Sequence, residues 1–188
     1  AMLGNDRADV MRGEEVQVLG AVADGSIPAD CTVCHPGTHN KWVDVRGGRI
    51  AAFRTIMTGE LFNLLRQKSI LSDLLARDVA PDDSFRDGVR QGMAGRTLTA
   101  ELFSVRARVL LGAARSEDAA AFTSGLLIGA DIATGLGDAG EGDVIVMGRP
   151  ELTELYAAAL QVAGRAAREL DGERAFIAGI TEIVDRIA

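Results

Sequence analysis

Between Cys31 and Thr55 the chain alternates with a period of two, whereas nearly every long stretch on either side follows a helical period. That switch restricts the fold more than any other feature. The runs Cys31-Thr32-Val33-Cys34, Lys41-Trp42-Val43-Asp44-Val45 and Arg49-Ile50-Ala51-Ala52-Phe53-Arg54-Thr55 are split by Pro36-Gly37 and by the turn Arg46-Gly47-Gly48. Paired glycines take positive φ without steric cost, so the second break predicts a tight hairpin. An antiparallel three-strand meander follows.

The flanks supply its helices. Apolar positions at Val16, Val18, Leu19 and Val22 predict a helix after Asp9, stopped by Asp24-Gly25-Ser26-Ile27-Pro28. Leu61, Leu64, Leu65, Leu71, Leu74 and Leu75 predict one helical stripe that covers the sheet. Ser84-Phe85-Arg86-Asp87 has capping-box spacing and opens a helix ending near Gly95, and Leu102, Phe103, Arg106, Val109 and Leu110 mark another. Ser116 is expected to cap a helix through Phe122, Leu126, Leu127, Ala130 and Ile132, running into a loop at residues 135–142. Residues 143–148 read as a buried strand and Pro150 as a helix start, with Leu152, Leu155, Tyr156, Leu160 and Ala163 following. A strand at 166–170 and an amphipathic helix with Phe176, Ile177, Ile180, Ile183, Val184 and Ile187 close the chain. Nothing repeats at a fixed period. The order predicts an α/β fold, a mixed sheet with helices on its faces.

Composition removes several function classes. Hydrophobic types at 47% and a mean hydropathy of +0.13 argue against disorder. A net charge of −7 without a basic patch argues against a nucleic-acid partner. Apolar stretches are broken by Gly, polar or charged residues before the roughly 18 residues of a membrane span, so no membrane partner is expected. The start Ala1-Met2-Leu3-Gly4-Asn5-Asp6-Arg7 lacks the pattern of a signal peptide, Ala1 reads as a cloning remnant, and a cytoplasmic location is expected. Cys31 and Cys34 cannot staple a domain of this size.

Three constellations can carry chemistry. Pro36-Gly37-Thr38-His39-Asn40 lies in the turn between two strands, where Gly and Thr either bring backbone N–H groups to a phosphate or merely satisfy the turn. Asp9-Val10-Met11-Arg12-Gly13-Glu14-Glu15 puts carboxylates and a guanidinium at a helix start. A carboxylate there can take a proton from a hydroxyl, or simply favour the helix dipole. Met147-Gly148-Arg149-Pro150 sets a Gly at the carboxyl end of a strand before a helix, where a nucleotide can meet bare backbone, or where Gly serves geometry alone.

Cys31 and Cys34, three apart on a strand, face opposite sides of the sheet and cannot share an ion. His35 and His39 lack partners for a tetrahedral site, and Trp42 reads as a core aromatic. No protein metal site is expected.

Taken together, residues 9–21, the block Pro36-Gly-Thr-His-Asn-Lys-Trp-Val43 and the block Phe53-Arg-Thr-Ile-Met-Thr-Gly-Glu-Leu61 resemble the 2-dehydro-3-deoxygalactonokinases. These are sugar-acid kinases of the actin-like ATPase superfamily. Phe122-Thr-Ser-Gly-Leu-Leu-Ile-Gly-Ala130 and Ala175-Phe-Ile-Ala-Gly-Ile180 extend the resemblance over nearly the whole chain. It implies a ribonuclease-H-like half domain and phosphoryl transfer from Mg²⁺-ATP to the terminal hydroxyl of 2-dehydro-3-deoxy-D-galactonate, a step in galactonate breakdown. The family's opening phosphate loop, Asp-Trp-Gly-Thr-Thr-like, does not occur here. The chain is therefore expected to be the carboxyl-terminal part. Residues 1–27 would form a catalytic-carboxylate segment with a linking helix, and residues 28–188 the nucleotide-binding domain.

The resemblance also implies site residues. Glu14, with Glu15 in competition, matches the catalytic carboxylate, and Arg12 either holds the substrate carboxylate or braces Glu15 or Asp9. Gly37 and Thr38 match a phosphate loop, with His39 an unusual third member. Gly148 and Arg149 match the adenosine turn, and Ser124 and Gly125 line the base pocket. ATP and Mg²⁺ are the implied cofactors, a homodimer is left open, and the fragment alone is expected to be inactive. Two alternatives stand beside this reading: a non-catalytic nucleotide- or sugar-binding module, and a kinase for another sugar acid.

Overall fold

A computed structural model describes residues 2–4 and 7–187 of the chain. A short antiparallel ladder, β1 (Met2–Gly4) with β2 (Arg7–Asp9), precedes a five-stranded sheet. That sheet is built from β3 (Cys31–His35), β4 (Asn40–Arg46), β5 (Arg49–Ile56), β6 (Val144–Gly148) and β7 (Ala167–Asp171) in the order β5-β4-β3-β6-β7. The meander β3-β4-β5 is antiparallel, while β6 runs parallel to both β3 and β7. Gly47 and Gly48, at φ 54° and 71°, make the expected hairpin turn. The sheet is mixed, as its element order required.

The helices are α1 (Glu14–Ala23), α2 (Thr58–Lys68), α3 (Asp83–Met93), α4 (Leu98–Leu110), α5 (Ala119–Asp138), α6 (Pro150–Val162) and α7 (Gly172–Ile187). On one face of the sheet Val33, Val43, Val45, Ile145 and Met147 pack against Val18 and Ala21 of α1 and Ala175 of α7. On the other, Cys34, Trp42, Val144 and Val146 meet Ile128 and Ile132 of α5 and Leu160 of α6. Burying each Val, Ile, Leu or Met among them is worth roughly 1.5–3 kcal/mol. Cys31 joins the first cluster and Cys34 the second, so the two thiols do face opposite sides.

Two helix pairs cross at backbone contact. A Cβ on Gly125 would lie 2.0 Å from the Phe85 carbonyl oxygen, and one on Gly88 2.1 Å from that of Phe122, which locks α3 onto α5. Gly20 and Gly179 do the same for α1 and α7, where a Cβ on Gly20 would sit 2.3 Å from Gly179 N.

Several sequence expectations need correction. The leucine stripe is broken: α2 ends at Lys68, and Leu71 to Leu75 belong to a separate turn around the 3-10 segment Ser72–Leu74. Ser69 causes the break, because its hydroxyl donates to Leu65 O and accepts from Leu71 N in place of helical bonds. The cover of the sheet comes from α1, α5, α6 and α7 instead. Asp82, not Ser84, caps α3, its carboxylate accepting from Phe85 N at 2.8 Å.

Residues 135–138 extend α5 rather than forming a loop, because Gly135 lies under the Trp42 ring, where a Cβ would fall 2.0 Å from Cε2. Ser116 opens a 3-10 turn and gives no side-chain cap. The stretch Ser116–Asp138 is, contrary to expectation, long and apolar enough to cross a bilayer, yet 78% of its apolar window is buried inside the fold. Core packing accounts for that apolarity. The apolar stripe of α7 is turned outward, with Ile177 60% and Val184 57% exposed, because α7 docks through Ala175 and Gly179.

Candidate active site

One row of cross-strand neighbours organises the site. His35, Lys41 and Thr55 stand side by side on β3, β4 and β5. Asp9, at the end of β2, accepts from Thr55 N at 2.7 Å and Thr55 Oγ1 at 2.5 Å. Glu14, at the start of α1, accepts from Arg12 N at 2.8 Å through Oε2, and its Oε1 lies 3.7 Å from Lys41 Nζ. Gln17, one turn further on, places Oε1 2.9 Å from His35 Nε2, a contact that needs the proton on Nε2. Carboxylate, ammonium and imidazole thus meet where α1 crosses the strand ends.

Their charges follow from this placement. Burial pushes the Glu14 carboxyl up, but hydrogen bonds from the backbone N–H groups of Arg12 and of Glu14 itself, with Lys41 and His35 nearby, hold it below its ordinary value. Burial likewise works against the Asp9 carboxylate, and the bonds from Thr55 and Val10 with the Lys41 charge outweigh it. Desolvation keeps His35 below its ordinary value, hence neutral. Glu15 accepts from Gly13 N at 2.8 Å. Arg12 is exposed and makes no side-chain ion pair among the described residues, so the brace to Glu15 or Asp9 is not formed.

Between His35 and Lys41 the chain bends through Gly37, Thr38 and His39. Among the described residues no protein acceptor takes the N–H of any of these three, and Thr38 and His39 are exposed. Successive backbone N–H groups in a turn can form an anion-binding concavity. The bend is held from behind: Glu60 N donates to Thr38 O at 2.8 Å, His39 Nε2 lies 2.5 Å from Glu60 Oε2, and a Cβ on Gly59 would sit 2.4 Å from Gly37 O. His39 therefore anchors the bend to the start of α2.

The parallel strands end at the same place. A Cβ on Gly148 would lie 3.4 Å from Pro36 O, while one on Gly172 would fall 2.7 Å from Gln17 Oε1 and 3.2 Å from Gly148 Cα. Ligands in open α/β sheets bind at such carboxyl ends. Arg149 is exposed in the turn into α6. Of the residues expected to line a base pocket, Ser124 is 6% exposed and the Cβ position of Gly125 is filled by α3 backbone, so both are packed between α5 and its neighbours.

Asp131 was invisible to motif reading. It is 1% exposed and accepts from Asn40 Nδ2 at 2.8 and 3.0 Å, Trp42 Nε1 at 2.7 Å, Tyr156 Oη at 2.7 Å and Thr58 Oγ1. Burial pushes this carboxyl up, and its hydrogen bonds oppose that. The available signal was a lone charge inside an otherwise uncharged run, residues 119–137. Lys41 and His35 were missed for another reason, since their meeting with Glu14 depends on strand register.

No group of three or more His, Cys, Asp or Glu side chains among the described residues could hold a metal ion.

The sequence pattern of the 2-keto-3-deoxy-galactonokinase family matches residues 2–183. The chain belongs to that family. A candidate 2-dehydro-3-deoxygalactonokinase of Rhizobium meliloti (strain 1021) is 41% identical over 178 residues, 92% of this chain and 58% of that protein. The 2-dehydro-3-deoxygalactonokinase of Escherichia coli (strain K12) is 38% identical over 186 residues, 98% of this chain and 62% of its own. The chain thus spans about three fifths of the length of these galactonokinase relatives.

Among solved structures, a candidate 2-dehydro-3-deoxygalactonokinase from Sinorhizobium meliloti superposes with a TM-score of 0.88 at 40% identity, covering 95% of this chain and 61% of that one. Component A of (R)-2-hydroxyglutaryl-CoA dehydratase from Acidaminococcus fermentans gives 0.53 at 16% identity, over 88% and 64% of the two chains. That second likeness is one of fold.

Proposed function

We propose that this chain is the carboxyl-terminal, nucleotide-binding part of a kinase that transfers the γ-phosphoryl group of ATP to the terminal hydroxyl of 2-dehydro-3-deoxy-D-galactonate. The product is the 6-phosphate, formed in galactonate breakdown. In this reading residues 28–188 are a ribonuclease-H-like half domain, residues 1–27 carry the catalytic carboxylate, and the relatives' further length holds a second lobe. The observation that carries it is the bend at residues 37–39: its free N–H groups stand between His35 and Lys41, the two residues that reach the Gln17 and Glu14 side chains.

The chemistry assigned to these residues is in-line transfer. Glu14, held ionised, orients the sugar hydroxyl and takes its proton as the oxygen bonds to the γ-phosphorus and the bond to ADP breaks. Glu15 is the competitor, with its carboxylate turned to Gly13 N. Backbone N–H groups of Gly37, Thr38 and His39 receive phosphate oxygens, Gly148 and Arg149 flank the adenosine, and exposed Arg12 is free to meet the substrate carboxylate. Magnesium, arriving with ATP, would neutralise phosphate charge.

ADP release by the full-length protein, with ATP and the sugar acid, tests this. Glu14→Gln is expected to lower kcat by about 10²–10⁴-fold and Glu15→Gln far less. Undiminished turnover in both variants would overturn the assignment. The three-fifths coverage favours a second reading for the 188-residue chain by itself: weak nucleotide binding without transfer. Robust turnover by that chain would refute it.

A further inference from the structure

Asp131 sits on a core helix, outside the carboxylate corner, yet each of its hydrogen bonds ends on an element that borders the proposed nucleotide crevice. Asn40 directly follows His39, the last residue of the bend. Thr58 directly precedes Gly59, where a Cβ would fall 2.4 Å from the Gly37 carbonyl oxygen, and lies two residues before Glu60, which bonds Thr38 O and His39. Tyr156 belongs to α6, the helix that begins immediately after Gly148-Arg149. Trp42 stacks over Gly135 of the same helix that carries Asp131.

We propose that Asp131 is the positioning residue for nucleotide binding, a single buried carboxylate that fixes the carboxyl end of the phosphate bend, the helix start that backs it and the helix behind the adenosine turn relative to one another. The inference rests on the nucleotide reading above. A purely structural acid would need to satisfy neighbours only within the core. Here Asn40 closes the bend at its carboxyl end and Thr58 opens the helix whose Gly59 and Glu60 back it, so loss of the carboxylate loosens one end of the bend and its support while leaving the Glu14–Lys41 corner, on the opposite sheet face, in place. Small displacements of groups that position a reacting phosphate have large kinetic effects.

The test measures KM for ATP, KM for the sugar acid, kcat and thermal midpoint on the full-length protein, with calorimetric ADP binding as a second readout. Asp131→Asn is expected to raise KM for ATP and weaken ADP binding by about tenfold, with sugar-acid KM changed less than about twofold. Thr58→Val and Tyr156→Phe, which each remove one donor, should give smaller losses of the same kind, and they decide the matter if Asp131→Asn fails to fold. Leu102→Ala, a core truncation between α4 and α5, serves as the stability control. If Leu102→Ala raises KM for ATP as much as the Asp131 network variants do, or if those variants bind ADP like the wild type, the positioning role is overturned. Wild-type protein that neither binds ADP nor consumes ATP would instead overturn the nucleotide reading itself.

Discussion

Lys41 Nζ stands 3.7 Å from Glu14 Oε1, with the lysine side chain 5% exposed and the glutamate 23%. A buried ammonium beside a half-buried carboxylate stabilises the ionised form of the acid, and it does so next to the only bend in the sheet whose backbone donors are free among the described residues.

Replacing Lys41 with Met should therefore let the Glu14 carboxyl rise, since the burial that works against its charge stays while one opposing charge goes. The acid limb of the kcat/KM profile is expected to move to higher pH. An acid limb unchanged in Lys41→Met would show that this pair does not govern the reaction.

His35 should set part of the stability profile. Its folded pKa lies below the ordinary 6.5, so the unfolded chain binds more protons between the two values. Stability contributed by neutral His35 is complete above pH 6.5 and declines as pH falls from there through the folded value. Asp9 and Glu14 act lower, their contribution present above the ordinary 3.8 and 4.5 and lost as pH falls through their depressed values. Urea midpoints across pH 4.5–8 should fall below 6.5 in the wild type and flatten in His35→Gln.

Gly59 and Gly148 separate two kinds of glycine. A methyl at Gly59 would strike Gly37 O at 2.4 Å, so Gly59→Ala should displace the bend and raise KM for ATP by about tenfold or more. A methyl at Gly148 meets its nearest atom at 3.4 Å, which the fold tolerates. Gly148→Ala should keep the thermal midpoint and still weaken ATP binding, because in the proposed site the added methyl stands beside the adenosine. Unaltered nucleotide affinity in Gly148→Ala would remove that residue from the site.

Helix packing gives a prediction independent of function. Gly125→Ala must push α3 from α5, at about 1–3 kcal/mol or more, read from the urea midpoint. Ile177→Ser, on the exposed stripe of α7, should change stability by no more than about 0.5 kcal/mol in a monomer. A large loss in Ile177→Ser would mean that the stripe is covered in solution.

Much of the fold was legible because it is local. The hairpin at Gly47-Gly48, the period-two strands and the Pro150 helix start all follow from backbone preferences acting over a few residues. The failures were local as well, but of a kind that periodicity cannot see: Ser69 diverts two backbone bonds and ends α2, and Gly135 stays helical because an aromatic ring lies against it.

For the candidate site the division is sharper. The residues from 9–15 and 36–40 could be chosen as chemically able from sequence, since carboxylates beside a helix start and a Gly-Thr bend between strands have their potential written into residue type and spacing. Which of them meet was decided by the tertiary structure alone. Strand register puts Lys41 beside His35 and Thr55, the α1–α7 crossing carries Glu14 to that row, and a lone acid on α5, 91 residues from Asn40 in the chain, holds the bend from the other face. Contacts at that separation depend on how whole elements pack, and no short-range preference encodes them.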